Sequence, residues 1–283
     1  MKVCIVGLGL IGGSFALALR RNALADRIVG VDSNPQHASE ALSLGLVDEI
    51  VDMEQAVADS DLIVLATPVD AIPQIAIKLL NRIGATQTLI DMGSTKEELC
   101  EIVSQHPSRC RLVATHPMWG TEYSGPSAAT VDAFAGRNVV LCEVERSAAD
   151  AVSLVEGIYK TIGMNIMHMS AEQHDLHVAY VSHISHITSF VLSTTVLEKE
   201  REEDAIFHLA GGGFDSTVRL AKSEANTWVP IFAQNKYNVL DVLREYIHQL
   251  QLFRKALEKD DYQAIRAMIH RANDIRKVLE VKK

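Results

Sequence analysis

A glycine-rich segment near the start of the chain has the spacing of a phosphate-binding turn. Gly7-Leu8-Gly9-Leu10-Ile11-Gly12 follows an apolar run, Lys2–Val6, and precedes a stretch with helical spacing of apolar residues. In a G-x-G-x-x-G turn the first glycine permits the tight bend, the second lets the backbone approach a pyrophosphate, and the third allows close helix–strand packing. The N–H groups and the positive dipole end of the following helix attract the same phosphates. The segment therefore predicts a dinucleotide-binding turn.

An acidic residue at the end of the next apolar run indicates which dinucleotide is bound. Asp32 stands twenty residues after Gly12 and ends the run Arg27–Asp32, and no arginine follows in Ser33-Asn34-Pro35-Gln36. A carboxylate there accepts hydrogen bonds from the adenosine ribose and repels a 2′-phosphate, which favours NAD over NADP. The competing interpretation is a structural glycine turn with a capping aspartate. The predicted cofactor-binding residues are Gly7, Leu8, Gly9, Leu10, Ile11, Gly12, Asp32, Thr67 and Pro68.

Two residues are candidates for acid–base chemistry and for anion binding. His116 follows a predicted strand, Leu112–Thr115, in the region where sheets of this kind place their chemistry. A neutral imidazole takes up a proton near pH 7, which suits a general base. Arg219 is the candidate carboxylate clamp, because a guanidinium binds a carboxylate through two parallel hydrogen bonds. Either residue could instead be structural.

Histidines also occur in two closely spaced pairs. His183 and His186 are three residues apart, as are His174 and His177. This spacing places each pair on one face of a helix. No Cys, Asp or Glu completes a recognised metal-ligand spacing around them, so we predict no metal site.

Five features of the sequence form a set of motifs. They are Asp91-Met92-Gly93-Ser94-Thr95-Lys96 (D-x-x-S-x-K), His116-Pro117-Met118-Trp119-Gly120-Thr121-Glu122 (H-P-M-x-G-x-E), Ser182-His183-Ile184-Ser185-His186 (S-H-x-x-H), the glycine-rich turn Gly211-Gly212-Gly213-Phe214 that leads to Arg219, and Trp228. In their order and spacing, these motifs resemble those of prephenate dehydrogenases and their arogenate relatives. The resemblance extends over nearly the whole chain.

The resemblance implies an NAD-dependent oxidative decarboxylation in tyrosine biosynthesis. Hydride leaves the ring carbinol carbon of prephenate for the nicotinamide, the hydroxyl loses its proton, and the ring carboxylate departs as carbon dioxide. The resemblance implies that His116 accepts the proton and Ser94 bonds near the same hydroxyl. The catalytic residues are then His116 and Ser94, and the substrate-binding residues are Arg219, His186, His183, Glu122 and Trp228.

Two segments allow other interpretations. Ser94-Thr95-Lys96-Glu97 has the pattern of a helix capping box, which would make Ser94 an N-cap and Lys96 a solvated first-turn residue. Phe214-Asp215-Ser216-Thr217-Val218-Arg219 departs from the F-R-D-T-T-R found in many relatives. The terminal Arg219 remains, so the departure affects the predicted ion pairs around it rather than the clamp.

Apolar patterning predicts an α/β Rossmann-type dinucleotide-binding domain over residues 1–168. Short apolar runs that suit buried strands alternate with stretches of helical spacing. The predicted strands are Lys2–Val6, Arg27–Asp32, Asp61–Thr67, Thr88–Asp91, Leu112–Thr115 and Asn138–Cys142. The predicted helices are Gly12–Arg21, Pro35–Leu44, Ala71–Arg82 and Thr95–Gln105.

Residues 169–283 predict an all-α domain that completes the site and dimerises. Ser170 is a plausible N-cap for a helix that runs to about Arg201. Two further helices are predicted over Trp228–Lys259 and Tyr262–Val281, with Pro230 tolerated in a first turn. Long helices with apolar faces usually need a partner surface, which predicts a homodimer.

Composition excludes several other classes of protein. The 283 residues carry a net charge of −9 without a basic patch, so neither nucleic acid nor an anionic membrane is an expected partner. Glycines interrupt the apolar N-terminus, which argues against a signal peptide, and the four cysteines are expected to be buried thiols of a cytoplasmic protein. Arogenate as substrate, another small-acid dehydrogenase and a non-catalytic NAD-sensing protein remain alternatives.

Overall fold

A single eight-stranded sheet forms the centre of the first part of the chain. The computed structural model describes residues 1–203 and 205–279, and within them the sheet has the order β3-β2-β1-β4-β5-β6-β7-β8. The strands are β1 (Lys2–Val6), β2 (Arg27–Val31), β3 (Glu49–Ile50), β4 (Leu62–Leu65), β5 (Thr88–Asp91), β6 (Leu112–Pro117), β7 (Asn138–Cys142) and β8 (Asn165–Met169).

Strands β1 to β6 run parallel, which places their carboxyl ends at one edge of the sheet. β1 pairs with both β2 and β4, so the direction of winding reverses beside it. In sheets of this type ligands bind outside the carboxyl ends, at such a reversal. The pair of β6 and β7 is the only antiparallel one among the described strands of this sheet. β7 runs antiparallel to β6 and parallel to β8. The glycine turn after β1, Thr67 after β4 and His116 in β6 therefore share one edge.

Helices cover both faces of the sheet. They are α1 (Leu10–Arg21), α2 (Pro35–Ser43), α3 (Met53–Asp59), α4 (Ile72–Leu80), α5 (Glu97–Ile102) and α6 (Ala149–Thr161). One apolar cluster contains Phe15, Phe134 and Tyr159, and a second contains Ile63, Leu65 and Leu79. Strand β4 is buried along its whole length, because both faces of the sheet are covered.

Only helices follow Met169 in the described part of the chain. They are α7 (Ala171–Val178), α8 (Ile184–Glu200), α9 (Gly212–Val218), α10 (Ala225–Gln234), α11 (Lys236–Glu258), α12 (Tyr262–Ala272) and α13 (Ile275–Leu279). A π-helical turn, Ala179–His183, joins α7 to α8. The predicted start of this long helix is confirmed: Ser170 and Gln173 form a reciprocal capping box. None of the described helices is both long and apolar enough to span a bilayer.

The α/β fold followed by helices confirms the predicted fold class. By internal contacts the chain divides into two compact units, Met1–Lys236 and Tyr237–Lys283. All residues proposed for the site lie in the first unit. The boundary between residues 168 and 169 stays a prediction.

Several predicted elements were wrong or incomplete. Strands β3 and β8 and helices α3, α6 and α9 were not predicted: β3 has two residues, β8 is exposed or half-buried along its length, and α6 begins without a side-chain cap. The segment predicted as a glycine-rich turn forms α9, which begins at Gly212. The predicted helix Trp228–Lys259 is two helices that break at Asn235, and Pro230 lies inside α10 rather than in its first turn. The last predicted helix breaks after Ala272, and its end at Val281 lies outside the described residues.

The cysteines agree with the prediction at three of four positions. Cys4, Cys100 and Cys142 are buried free thiols, and burial raises the pKa of Cys4 to about 12. Cys110 is exposed, so the expectation of burial was wrong there. It lies in a 3₁₀ turn, Arg109–Arg111, whose two arginines are buried in its place.

Candidate active site

The turn after β1 has the shape that a dinucleotide requires. Gly7 has φ +96°, and a Cβ there would lie 2.5 Å from the carbonyl oxygen of Ala66. A Cβ on Gly12 would lie 2.0 Å from the carbonyl oxygen of Gly7, so these two glycines are required by the backbone itself. A Cβ on Gly9, in contrast, would meet no described atom within 4 Å. The space above Gly9 is thus open to a ligand, at the N-terminus of α1.

Asp32 and Thr67 border this turn. The Asp32 carboxylate accepts the backbone N–H of Leu8 at 2.8 Å through one oxygen and that of Asn34 at 2.8 Å through the other. Asp32 therefore has the capping contacts of the structural interpretation and still has lone pairs for ribose hydroxyls. The Thr67 hydroxyl oxygen is buried without a hydrogen-bond partner among the described residues. An open glycine turn and an unpaired hydroxyl at one strand edge fit a bound dinucleotide.

A buried ion pair lies below the loop that follows β5. Asp91 and Lys96 are both 0% exposed, and their side chains pair with each other. The same carboxylate accepts the backbone N–H of Gly93 at 3.0 Å and that of Thr115 at 3.1 Å. The prediction that Lys96 is a solvated residue was wrong: its ammonium neutralises a carboxylate at the end of a fully buried strand.

The capping box predicted at Ser94 does not form. Helix α5 begins at Glu97, and neither its N-cap nor Ser94 supplies a capping side chain. The cap comes from α7 instead: Asp175 accepts the backbone N–H of Lys96 at 2.8 Å and that of Glu97 at 3.0 Å. Ser94 is half-buried and is not used as a cap.

His116 lies near the end of β6. It is the first of three buried side chains that contact one another in a row. It is 9% exposed, and its Nδ1 lies 2.8 Å from Nε2 of His174. Nδ1 of His174 lies 2.6 Å from Oδ1 of Asp175, which is 2% exposed. Burial lowers the pKa of His116 well below its usual value. The charge of Lys96 lowers it further, as would a proton on His174 or His183. Burial also lowers the pKa of His174, so both imidazoles are neutral near pH 7.

The predicted histidines of the long helix meet an aromatic cluster. The rings of His186 and Trp228 are stacked with centroids 3.5 Å apart, and His183 meets Trp228 edge-on at 5.9 Å. Nδ1 of His186 donates to the carbonyl oxygen of Ser182 at 3.1 Å. Burial lowers the pKa of His183 to about 4 and also lowers the pKa of His186.

Asn235 ties this cluster to the buried row. Its amide nitrogen donates to the Asp175 carbonyl oxygen at 2.6 Å and lies 3.2 Å from Nδ1 of His183. Asn235 is the C-cap of α10, so the end of this helix places its side chain beside Asp175 and His183.

Arg219 and Glu122 pair with each other. Their side chains meet at 3.0 Å, with exposed fractions of 49% and 17%. In the segment that departs from the family pattern, Asp215 pairs with Lys222 at 3.1 Å and the Ser216 hydroxyl donates to the Gly213 carbonyl oxygen at 3.0 Å. A cavity of about 600 Å³ borders this region; its lining residues are Glu122, Tyr123, Ser124, Ser127, Ala128, Lys222 and Glu224.

The structure thus brings the predicted residues together in three groups. His116 belongs to the buried row, His183 and His186 share Trp228, and Arg219 holds Glu122; the charge of Arg219 also lowers the pKa of His186. No described group of His, Cys, Asp or Glu is arranged to hold a metal ion.

Sequence reasoning missed the partners of these residues: Asp91, His174, Asp175 and Asn235. One signal was available, since Asp91 is a charged residue at the end of an apolar run. His174 was noted only for its spacing from His177, and Asp175 gave no signal in the middle of the polar helix α7.

The sheet order, the glycine turn and the buried imidazole define the class of a dinucleotide-dependent dehydrogenase. Two family models match the chain. "Prephenate dehydrogenase, nucleotide-binding domain" matches residues 15–168, and "Prephenate dehydrogenase, dimerization domain" matches residues 170–271. The chain belongs to the prephenate dehydrogenase family.

Named relatives agree with this assignment. A prephenate dehydrogenase of Bacillus subtilis is 30% identical over 97% of this chain and 75% of its own length. A cyclohexadienyl dehydrogenase of Zymomonas mobilis is 30% identical over 92% of this chain and 89% of its own length.

Solved structures give the same family. Prephenate dehydrogenase from Aquifex aeolicus, in complex with hydroxyphenyl propionate and NAD+, is 31% identical with a TM-score of 0.90 and covers 99% of this chain and 98% of its own. Synechocystis arogenate dehydrogenase is 25% identical with a TM-score of 0.80 and covers 99% of this chain and 100% of its own.

Proposed function

We propose that this oxidoreductase converts prephenate to 4-hydroxyphenylpyruvate, with NAD as the hydride acceptor. The observation that carries the proposal is His116: a buried neutral imidazole at the carboxyl end of a parallel strand, with one nitrogen engaged by His174 and the other unused by any described residue. A base of this kind suits the removal of a proton from the ring hydroxyl.

The reaction needs one proton acceptor and returns the proton. Bound at the glycine turn, NAD would supply the hydride acceptor for the ring carbon that carries the hydroxyl. His116 takes the hydroxyl proton, and the carbon–carboxylate bond breaks so that its electron pair enters the ring. The phenolate that results takes the proton back from His116, which is neutral again for the next turnover.

The remaining predicted residues would hold the substrate. Arg219 would bind the ring carboxylate, which requires the guanidinium to exchange Glu122 for a substrate anion. The stacked pair of His186 and Trp228 would contact the side chain and the ring. Ser94, free of any capping role, would bond near the reacting hydroxyl.

NAD is proposed over NADP because of Asp32. Its carboxylate lies beside the glycine turn through its bond to the Leu8 N–H at 2.8 Å. A 2′-phosphate would bring further negative charge against it. We expect Asp32→Asn, which keeps a hydrogen-bond acceptor, to narrow the preference for NAD.

Arogenate is a second candidate substrate, and the state of His186 favours it. Because His186 donates from Nδ1 to a carbonyl and is neutral near pH 7, its Nε2 offers a lone pair. The side chain of arogenate carries an ammonium donor, whereas that of prephenate carries only acceptors. Glu122, which Arg219 would release on binding the ring carboxylate, is the other candidate partner for the ammonium.

The assay that decides is NADH formation with prephenate and arogenate in parallel, each with NAD and with NADP. We expect turnover of prephenate with NAD at a catalytic efficiency at least about tenfold above that with NADP. A strong preference for arogenate would move the assignment to the second candidate. No turnover of either substrate by folded, NAD-binding protein would refute the proposed function.

We further propose a homodimer in which residues 169–283 form the dimerisation domain. The match of residues 170–271 to a dimerization domain and the exposed apolar residues Leu250, Leu257 and Ile269 support it. Sedimentation equilibrium at micromolar concentration should give twice the chain mass, and a monomer would contradict the proposal.

A further inference from the structure

The row from Asp175 through His174 to His116 carries information about where protons lie. We propose that His174 is a positioning residue that holds His116 in the tautomer with the proton on Nδ1 and a bare Nε2, and that Asp175 fixes His174 in turn. The tautomer follows from the hydrogen-bond geometry and the neutrality of the buried His174 ring, whereas its effect on turnover rests on the function proposed above.

The direction of the hydrogen bonds begins at Asp175. Both of its carboxylate oxygens accept backbone N–H groups, from Lys96 and Glu97, at 2.8 and 3.0 Å. Both oxygens of Asp175 therefore act as hydrogen-bond acceptors. The contact of 2.6 Å between its Oδ1 and His174 therefore requires that Nδ1 of His174 carries the proton and donates.

The next bond follows from the neutrality of His174. With its single proton on Nδ1, the Nε2 of a neutral imidazole has a lone pair and accepts. The contact of 2.8 Å to His116 then requires that His116 donates from Nδ1. Nε2 of His116 is left without a proton, in the state that a general base needs.

Burial of His174 opposes any other arrangement and outweighs Asp175 and Asp91, whose charges favour a proton on that ring. A positive charge on His174 would also face the ammonium of Lys96. Among the described residues, the only anion hydrogen-bonded to either ring is Asp175, which contacts His174. When His116 takes up a proton at Nε2, His174 can keep its own proton and still accept from Nδ1, so the row stabilises the imidazolium without a second transfer.

Asp175 also connects the base to the loop that carries Ser94. The carboxylate that orients His174 caps α5, which begins directly after that loop. Replacement of Asp175 would disturb both structures at once. His174 is therefore the residue to vary, because its side chain contacts only His116 and Asp175 in the described hydrogen bonds.

Two variants separate positioning from packing. His174→Leu removes the acceptor for His116, whereas His174→Gln restores it, since an amide oxygen accepts and the amide nitrogen can donate to Asp175. We expect His174→Leu to lower kcat about 10- to 100-fold with the prephenate KM within about twofold, and His174→Gln to recover most of the loss. His177→Leu, an exposed position on the same helix, is the matched control and should keep wild-type kcat.

A spectroscopic measurement tests the tautomer without turnover. In the full-length protein labelled with ¹⁵N-histidine, long-range ¹H–¹⁵N correlations distinguish a protonated from a bare ring nitrogen. The His116 signals are those missing from His116→Asn. We expect a protonated Nδ1 and a bare Nε2 at pH 7.5, with the pattern altered in His174→Leu and retained in His174→Gln and His177→Leu.

The outcomes separate the claim that His174 sets the tautomer of His116 from the proposed function. A proton on Nε2 of wild-type His116 would overturn the inference even if prephenate is turned over normally. Unchanged kcat in folded His174→Leu would also overturn it. If the wild-type protein oxidises neither substrate, the proposed function fails, and the spectrum still shows whether His174 sets the tautomer. Should His174→Leu not fold, the wild-type spectrum and His174→Gln still decide.

Discussion

The nucleotide-binding turn after β1 and the histidine row at the end of β6 share one edge of the sheet but are built differently. The turn is one continuous hexapeptide whose function depends on backbone shape: a positive φ at Gly7 and open space at Gly9. The histidine row joins side chains from β6 and α7 that lie 58 residues apart in the sequence.

This difference determines which substitutions the turn and the histidine row tolerate. The turn depends on residues that lack a side chain, so substitutions there act by adding atoms. The row depends on buried polar groups that satisfy one another, so substitutions there leave a partner unpaired in a medium of low polarity. A substitution in the turn should therefore impair nucleotide binding and spare the histidine row, and a substitution in the row should spare nucleotide binding. Four predictions test this independence, from the largest expected effect to the smallest.

The first prediction removes the base and leaves the turn intact. His116→Asn should lower kcat by about 10²–10⁴-fold, the usual contribution of a general base. The dissociation constant of NAD, measured by fluorescence titration, should be unchanged. If the variant also loses NAD binding, the turn and the histidine row are coupled and do not act independently.

The second prediction concerns the pH dependence of stability, because the buried histidines lie in and beside the histidine row and not at the nucleotide-binding turn. His183 has a folded pKa of about 4 against 6.5 for the ordinary side chain, so the unfolded chain binds the additional proton as pH falls below 6.5. Stability is therefore lost toward acid. From pH 7 to pH 5 this one group should remove about 2 kcal/mol of unfolding free energy.

The measurement is chemical denaturation at both pH values. His183→Gln should lose about 2 kcal/mol less than wild type over this interval, whereas the exposed control His177→Gln should follow wild type. Parallel loss in all three proteins would mean that His183 does not titrate with a lowered pKa.

The same contrast explains what the sequence could predict. The strands β1, β5 and β7 follow from short contiguous signals, and their predicted bounds are confirmed. The glycine turn also follows from such a signal, although α1 begins within it, at Leu10 rather than at Gly12. The family motifs brought His116, Arg219 and His186 into one proposal. Local signals could not show that Asp175 replaces Ser94 as the cap of α5, since that contact joins residues almost eighty positions apart and depends on tertiary packing.

Lys96 illustrates the limit most clearly. In sequence it is a lysine in a polar segment, for which solvent exposure is the usual outcome. In the structure it is completely buried, because Asp91 at the end of β5 neutralises its charge. Pattern and propensity describe a residue's own preferences, whereas burial of a charge depends on a partner.

The third prediction tests the substrate clamp. Arg219→Gln should raise the KM for prephenate at least about tenfold, because a lost charge-assisted contact costs about 1.5–3 kcal/mol. The KM for NAD should hardly change. Lys222→Gln, which removes the neighbouring cation paired with Asp215, is the control and should leave both constants near wild type. An unchanged prephenate KM in Arg219→Gln would make Arg219 a structural partner of Glu122 only.

The fourth prediction adds a single methyl group to the nucleotide-binding end. A Cβ on Gly9 meets no described protein atom within 4 Å, and Gly9 has an extended, negative-φ backbone that alanine adopts without strain. The variant Gly9→Ala should therefore keep its thermal midpoint, while its methyl occupies the space through which a pyrophosphate would approach. A displacement of the ligand that costs about 1 kcal/mol would weaken NAD binding about fivefold. Because the histidine row does not touch this turn, kcat at saturating NAD should be unchanged.

The control for Gly9→Ala is Gly157→Ala, at a helical glycine on α6 where a Cβ also meets nothing within 4 Å, and it should bind NAD as wild type does. Unaltered NAD affinity in Gly9→Ala would place the pyrophosphate elsewhere, and a lowered midpoint would show that this glycine serves the fold, as Gly7 and Gly12 do, rather than the ligand.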